Sequence, residues 1–241
     1  MPYLKKTTRI KNKVYVEKVY SARYGKNTIP GPKEKVTRES VRKVNEKNRI
    51  KKLAWLIELN FEAGDWHAVL TFRKENRTTD RMRIREIRQE FLKALRKIYR
   101  KAGVELKYII VIEHLKTTVH FHVILNDIQK FGKLIREAWT YGNVNLSPLY
   151  ESDDGFQQLA SYLLKEAGTG EKEKGEQTYT RSRNLQVPVT TVEVIKSRKW
   201  RKEPKVPKGY YMEKGSFYEG INTWGYLQQY YTLVRYEKEE P

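Results

Sequence analysis

The chain has 241 residues, and its 49 Lys and Arg against 29 Asp and Glu give a formal net charge of +20, which favours a polyanionic partner through counterion release. It contains no cysteine, which excludes disulfides, cysteine–zinc sites and cysteine nucleophiles and agrees with a reducing cytoplasm. No apolar run is long enough to span a bilayer, the basic N-terminus lacks an apolar signal core, and no internal repeat is evident, so a cytoplasmic protein with no membrane partner is expected.

Residues 1–53 hold 17 basic and 4 acidic residues, a net +13. They read as a basic N-terminal arm with a short strand or hairpin around Val14 to Tyr20, a break at Ile29-Pro30-Gly31-Pro32, and a helix from Thr37 to about Leu59. Gly64-Asp65 turns the chain into a strand from Trp66 to Arg73. A long helix follows from Thr79 to Ala102, with Asp80 as its cap, Ile84, Ile87, Phe91, Leu95 and Ile98 on one side, and Gly103 as its stop. Tyr108 to His114 and Val119 to Leu125 read as two strands of a hairpin. A helix carrying Phe131, Leu134, Ile135 and Ala138 comes next, capped by Asn126 or Asp127. After Tyr141-Gly142-Asn143 the pattern gives a strand from Val144 to Leu149, then a helix from Phe156 with Leu159, Ala160, Leu163 and Ala167 inward. Asp153 and Asp154 read as helix-start residues.

From Trp66 the order is β-α-β-β-α-β-α. It predicts an α+β, ferredoxin-like antiparallel sheet with two helices on one face and the other face open. The Gly-, Lys- and Glu-rich stretch from Gly168 to Gln177 reads as a linker, and Tyr179 to Leu185 as an extended segment with Arg181 and Arg183 on one side. The basic, aromatic tail from Val192 to Tyr236, with Trp200, Tyr210, Tyr211, Trp224 and Tyr226, receives no fold from the pattern. The expected division is therefore an arm and first helix (1–53), a central α+β domain (54–167), and a linker with C-terminal extension (168–241).

Chemistry concentrates in the hairpin. Side chains alternate along a strand, so His120 and His122 share one face while Val119, Phe121, Val123 and Leu125 take the other. A four-residue loop sets Glu113 opposite His120, and two imidazoles with one carboxylate form a candidate site for Mg²⁺ or Mn²⁺. His67, at the start of the first sheet strand, is the alternative third ligand, whereas His114 alternates away from Glu113. Downstream, Tyr162 and Lys165 lie three apart on the polar side of their helix. Alone, such a pair marks only an amphipathic surface. Following two histidines, it suits phosphodiester transfer: a phenolate attacks phosphorus, a metal polarises a non-bridging oxygen, and an ammonium stabilises negative charge.

The motifs Ala68-Val69-Leu70-Thr71-Phe72, His120-Phe121-His122 and Tyr162-Leu163-Leu164-Lys165 occur in the order seen in rolling-circle replication initiators, and the chain resembles the HUH endonuclease superfamily in its single-tyrosine form. Two-tyrosine relatives carry a second Tyr where this chain has Gln158. With Asn60-Phe61, Gly64-Asp65 and Tyr179 to Leu185 added, residues 50–190 are similar to replication-associated proteins of the filamentous-phage gene II type, found on phages, plasmids and other mobile elements. The resemblance implies a palm-like fold. It also implies an enzyme that nicks one DNA strand at an origin, stays joined to the 5′ phosphate through Tyr162, and leaves a 3′ hydroxyl for the host helicase and polymerase. The expected partners are single-stranded DNA and origin duplex or hairpin DNA, with Arg73, Arg181 and Arg183 as candidate phosphate contacts. A mobilisation relaxase or single-tyrosine transposase would use the same chemistry. A non-catalytic nucleic-acid binder would account for charge and aromatics but not for the ordered Glu113, His120, His122, Tyr162 and Lys165.

Overall fold

The computed structural model describes residues 2–22, 24–25, 39–115, 117–152, 155–166, 177–196, 203–222 and 224–236. In chain order the elements are β1 (Tyr3–Ile10), β2 (Lys13–Tyr20), α1 (Glu39–Asn60), β3 (Trp66–Leu70), α2 (Arg81–Ala102), β4 (Tyr108–His114), β5 (Val119–Leu125), α3 (Phe131–Ala138), β6 (Val144–Pro148) and α4 (Gln157–Glu166). Then come β7 (Thr180–Arg181), β8 (Thr190–Ile195), β9 (Tyr210–Met212), β10 (Tyr218–Ile221) and β11 (Leu227–Arg235). The protein is α+β with two antiparallel sheets, and it divides into two compact units: residues 1–48 with 187–241, and residues 49–186.

In the second unit the strand order is β6-β3-β5-β4-β7, all antiparallel. The run β3-α2-β4-β5-α3-β6 is the expected ferredoxin-like split β-α-β, with α4 after it. Period-two alternation sends Ala68, Leu70, Tyr108, Ile110, Phe121, Val123 and Leu125 to one face. There they pack against Ile84, Ile87, Phe91, Leu92, Leu95 and Tyr99 of α2 and Phe131 and Ile135 of α3. Both helices thus lie on one side. Asp80 caps α2, its Oδ1 accepting from the Met82 amide at 2.9 Å, a bond of about 1 kcal/mol. Gly103 ends the helix in the left-handed region at φ 69°.

The opposite face is not open. Leu53, Ala54, Ile57 and Phe61 from α1 and its end, with Phe156, Ala160 and Leu163 from the α4 segment, cover Ile109, Val111 and Ile124. The strands are buried on both faces, so near-continuous apolar runs such as Tyr108 to Ile112 gave no sign of which side was free. The α3 cap also differs from expectation. Lys130 holds the cap position at φ 62° without a side-chain bond. Asn126 instead ties Lys107 and Glu105, and Asp127 accepts from Trp66 Nε1 at 2.6 Å. Asp153, Asp154, Ala167, Trp200, the Ile29 to Pro32 break and the expected linker up to residue 176 lie outside the described residues.

Gly142 is where backbone meets backbone. A Cβ there would stand 1.9 Å from the Thr71 carbonyl oxygen and 2.8 Å from Phe72 Cα. The amides of Thr71 and Arg73 donate to the carbonyls of Asn143 and Tyr141, each at 3.0 Å, and straddle the contact. Gly142→Ala is therefore expected to push these segments apart at a cost of about 1–3 kcal/mol, lowering Tm by several degrees. Gly132→Ala, whose nearest neighbour is the flexible end of Arg136 at 3.2 Å, is the control for a thermal melt.

The first unit is a six-stranded sheet ordered β10-β11-β2-β1-β8, with β9 also paired to β11. In the basic arm, the strand or hairpin expected around Val14 to Tyr20 is β2, and it pairs with β1 in full register from Tyr3↔Tyr20 to Ile10↔Lys13. The tail supplies the remaining strands. Val14, Val16, Tyr231 and Leu233, with Tyr210 and Met212 beside them, make a small core from the two ends of the chain. Tyr226 stacks on Tyr20 with ring centroids 3.6 Å apart. These compact units divide the chain at different places from the expected boundaries at 53 and 167, because strand pairing joins segments nearly the whole sequence apart.

Candidate active site

The register aligns Glu113 with His120 and Val111 with His122, while β3 aligns Val69 with His122 and His67 with Ile124. Paired residues share a face, so Glu113, His120, His122 and His67 lie on the side covered by α1 and α4. The cover is apolar over Ile109, Val111 and Ile124, and the polar cluster follows it along the strands.

Glu113 Oε2 lies 3.2 Å from His120 Nδ1 and 3.3 Å from His122 Nε2, so both rings are hydrogen-bonded to a single carboxylate oxygen. The three side chains form a graded entrance: His120 is 29% exposed, Glu113 13% and His122 1%. Burial pushes the His122 imidazolium below its usual range; the hydrogen bond and charge of Glu113 oppose that shift, and His120 adds to it. Among the described residues no group of three or more His, Asp or Glu is set out ready to hold an ion, and Glu113 bonds both rings. Glu113, His120 and His122 are the residues that could hold a divalent cation. Adjacent ligands of an ion bound at about 2.1 Å stand about 3 Å apart, close to the two separations seen here.

The α4 helix turns Ala160 and Leu163 inward and leaves Tyr162 44% exposed. Its ring meets His122 edge-on at 5.4 Å and 82°, and His67 at 6.3 Å and 76°. The tyrosine of α4 is thus the neighbour of one histidine from β5 and one from β3, 40 and 95 residues earlier in the sequence. Lys165 is exposed on the last turn of the same helix.

His67 proves to be more than an edge residue. Its ring stacks on His122 at 5.6 Å with a 19° interplanar angle, and burial, with His122 nearby, drives its pKa down to about 4. Both His67 Nε2 and His122 Nδ1 are buried with no hydrogen-bond partner among the described residues. Among the described residues, Glu113 Oε2 reaches the rings of His120 and His122 but makes no hydrogen bond to His67. His114 pairs with Val119 and points to the opposite face. One buried carboxylate escaped the sequence reading: Glu58 of α1 lies beside Gly155, just before α4. Its carboxylate sits in the otherwise apolar run Ala54 to Leu59, and that interruption was the available signal.

The neutral His67 has a consequence for stability. Unfolding restores an ordinary histidine pKa near 6.5, so the unfolded chain binds more protons between that value and about 4. The stability contributed by neutral His67 is whole above pH 6.5 and is lost as pH falls towards 4, by an amount on the order of 3 kcal/mol. Tm measured from pH 7.5 to 4.5 with a chelator present should fall more steeply for the parent than for His67→Phe. Parallel curves would show that His67 does not carry the dependence.

The candidate arginines are spread along the molecule. Arg73 is exposed just past β3, at the sheet end that holds Glu113 and His120. Arg181 and Arg183 flank buried Ser182, whose amide donates to the Tyr108 carbonyl at 3.0 Å, and both are exposed. This segment is held further by Asn60, which accepts from the Gln186 amide at 2.7 Å and donates to its carbonyl at 2.8 Å. Arg181 pairs with Ile109, four residues and so about 13 Å along β4 from Glu113. The pair therefore stands at the far end of the strand from the site.

With this geometry established, comparison with known proteins adds one finding. Residues 65–167 match the family described as Replication-associated protein ORF2/G2P. The matched segment runs from just before β3 to the end of α4 and so contains His67, Glu113, both hairpin histidines and Tyr162. No curated protein and no solved structure matches the chain. Among the described residues no helix is long and apolar enough to cross a membrane.

Proposed function

We propose that the second unit is a rolling-circle replication initiator that nicks and rejoins single-stranded DNA through Tyr162, a single-tyrosine HUH endonuclease. The observation that carries this reading is the convergence of Tyr162, 5.4 Å from the His122 ring, with a histidine pair gathered on Glu113. The match to a replication-associated family over residues 65–167 supports a role at DNA.

In the proposed reaction the Tyr162 phenol loses its proton and its oxygen attacks the scissile phosphorus. The new Oη–P bond forms as the P–O3′ bond breaks, and the departing 3′ oxygen takes up a proton. The DNA 5′ phosphate is then joined to the protein, and the bond energy is kept for rejoining by the reverse attack of a 3′ hydroxyl. Edge contacts with His122 and His67 limit where the Tyr162 ring can swing, so the nucleophile is held before substrate arrives. Lys165, one helical turn on, offers an ammonium to charge building on the phosphoryl oxygens. His120, His122 and Glu113 would hold Mg²⁺ or Mn²⁺, which when bound supplies Lewis-acid polarisation of the phosphate. His122 is suited to that part because burial keeps it neutral with a lone pair to give. Arg73 is the phosphate contact nearest the cleavage point, and Arg181 and Arg183 grip DNA farther along.

The test is a cleavage assay. Single-stranded origin fragments with Mn²⁺ should yield a denaturant-resistant protein–DNA adduct and a free 3′ hydroxyl. DNA binding with no adduct on any fragment would leave only a non-catalytic binder. Joining that requires a transposon end instead of an origin would assign the same chemistry to a transposase.

A further inference from the structure

We infer that the outer stripe of α2 is a docking track for the phosphate backbone of double-stranded DNA, on the sheet face opposite the candidate active site. The charge of the second unit is the first observation. Residues 49–186 hold 25 basic and 18 acidic residues, a net +7, whereas residues 73–101 alone hold 12 basic and 4 acidic, a net +8. The whole positive balance of the unit therefore sits on α2 and its approach, and the rest, the candidate site included, sums to −1.

The helix sorts these charges by side. At about 100° per residue, Arg85, Arg96, Arg100 and Lys93 fall within roughly 80° of arc. All four are exposed, and among the described residues none has an ion-pair or hydrogen-bond partner for its side chain. The two carboxylates of α2 fall outside this arc, on the Lys93 side of it, and are already engaged. Glu86 and Glu90 pair with Arg83 at 2.9 and 3.8 Å, Glu90 also accepts from the Tyr141 hydroxyl, and Arg83 lies over the Tyr141 ring. An ordinary solvated helix mixes signs at i,i+4 spacing. Here the bordering acids are taken up by Arg83 and Tyr141, and the arginine-rich stripe is left without carboxylate partners among the described residues.

From Arg85 to Arg100 the stripe is about 22 Å long at about 1.5 Å per residue. That length of duplex axis carries about 13 phosphate charges at one per about 1.7 Å. A straight row of cations on a rigid helix is complementary to the regular backbone of a duplex. A flexible single strand has to give up freedom to follow it. This inference does not rest on the cleavage chemistry proposed above, and it assigns the duplex beside the cut strand to a different surface from the one that does the cutting.

The experiment uses the full chain with Arg85, Lys93, Arg96 and Arg100 all changed to Gln, a good helix former that leaves the buried face of α2 untouched. Anisotropy with a blunt 20-base-pair duplex, measured across a salt series, should show duplex affinity at least tenfold weaker. The log–log salt slope should be smaller by up to about 3.6, since each of the four lost phosphate contacts removes about 0.9. A companion R85K/R96K/R100K variant should keep the parental slope, and matched thermal melts control for folding. Adduct formation on a short single strand should be unchanged, and that separate readout distinguishes failure of this inference from failure of the cleavage reading. An unchanged duplex slope in the Gln variant overturns the proposal. So does an equal loss on single-stranded DNA, which would make the stripe a track for the displaced strand.

Discussion

Tyr162→Phe is expected to abolish the covalent protein–DNA adduct and to lower cleavage by at least about a thousandfold, because the attacking oxygen has no substitute on the same ring. The substitution should leave the fold intact. The ring is 44% exposed, and its edge contacts with His122 and His67 are made by the ring, which phenylalanine keeps. DNA affinity should also persist, since the cations lie elsewhere on the chain. Adduct at parental level in the variant would move the nucleophile to another tyrosine. Tyr150, 76% exposed one residue beyond Leu149, is the next to test, followed by half-buried Tyr179.

His120→Ala is expected to reduce Mn²⁺-dependent cleavage by at least about a hundredfold, more than the tenfold to hundredfold typical for an outer-sphere partner. It is the cleaner of the two histidine tests. His120 is partly exposed and its removal leaves no internal void, whereas His122 is buried against the rings of His67 and Tyr162. His122→Ala should show the same loss together with a lower Tm, and Glu113→Ala should weaken Mn²⁺ binding in calorimetry. The comparison with His67→Ala decides the third ligand. Unchanged Mn²⁺ affinity without Glu113, coupled with loss without His67, would exchange their roles. The 3.2 and 3.3 Å approaches of Glu113 to both rings favour Glu113.

The sequence by itself determined the local elements and their order. Period-two alternation from Tyr108 to Leu125, with a short loop between, fixed the register that sets Glu113 against His120. Asp80 and Gly103 fixed the ends of α2, because cap and stop chemistry act within one turn. It also made visible which residues carry the candidate chemistry, since His-Phe-His on a strand must put both imidazoles on one face. Only the tertiary structure decided what stands across from them. Whether the histidine face was open or covered depended on where α1 and α4 pack, and amphipathic helices do not encode which sheet face receives them. That His67 would stack on His122 and meet Tyr162 follows from β3 lying beside β5, a pairing between strands about fifty residues apart. The clearest case is the first 20 residues. Their pattern reads as a basic arm with a short strand or hairpin around Val14 to Tyr20, yet β1 and β2 are central strands of a sheet completed by β8 and β11, where buried side chains such as Val14 and Leu233 make a core and half-buried Lys13 and Lys18 find partners in Glu213 and Gln229.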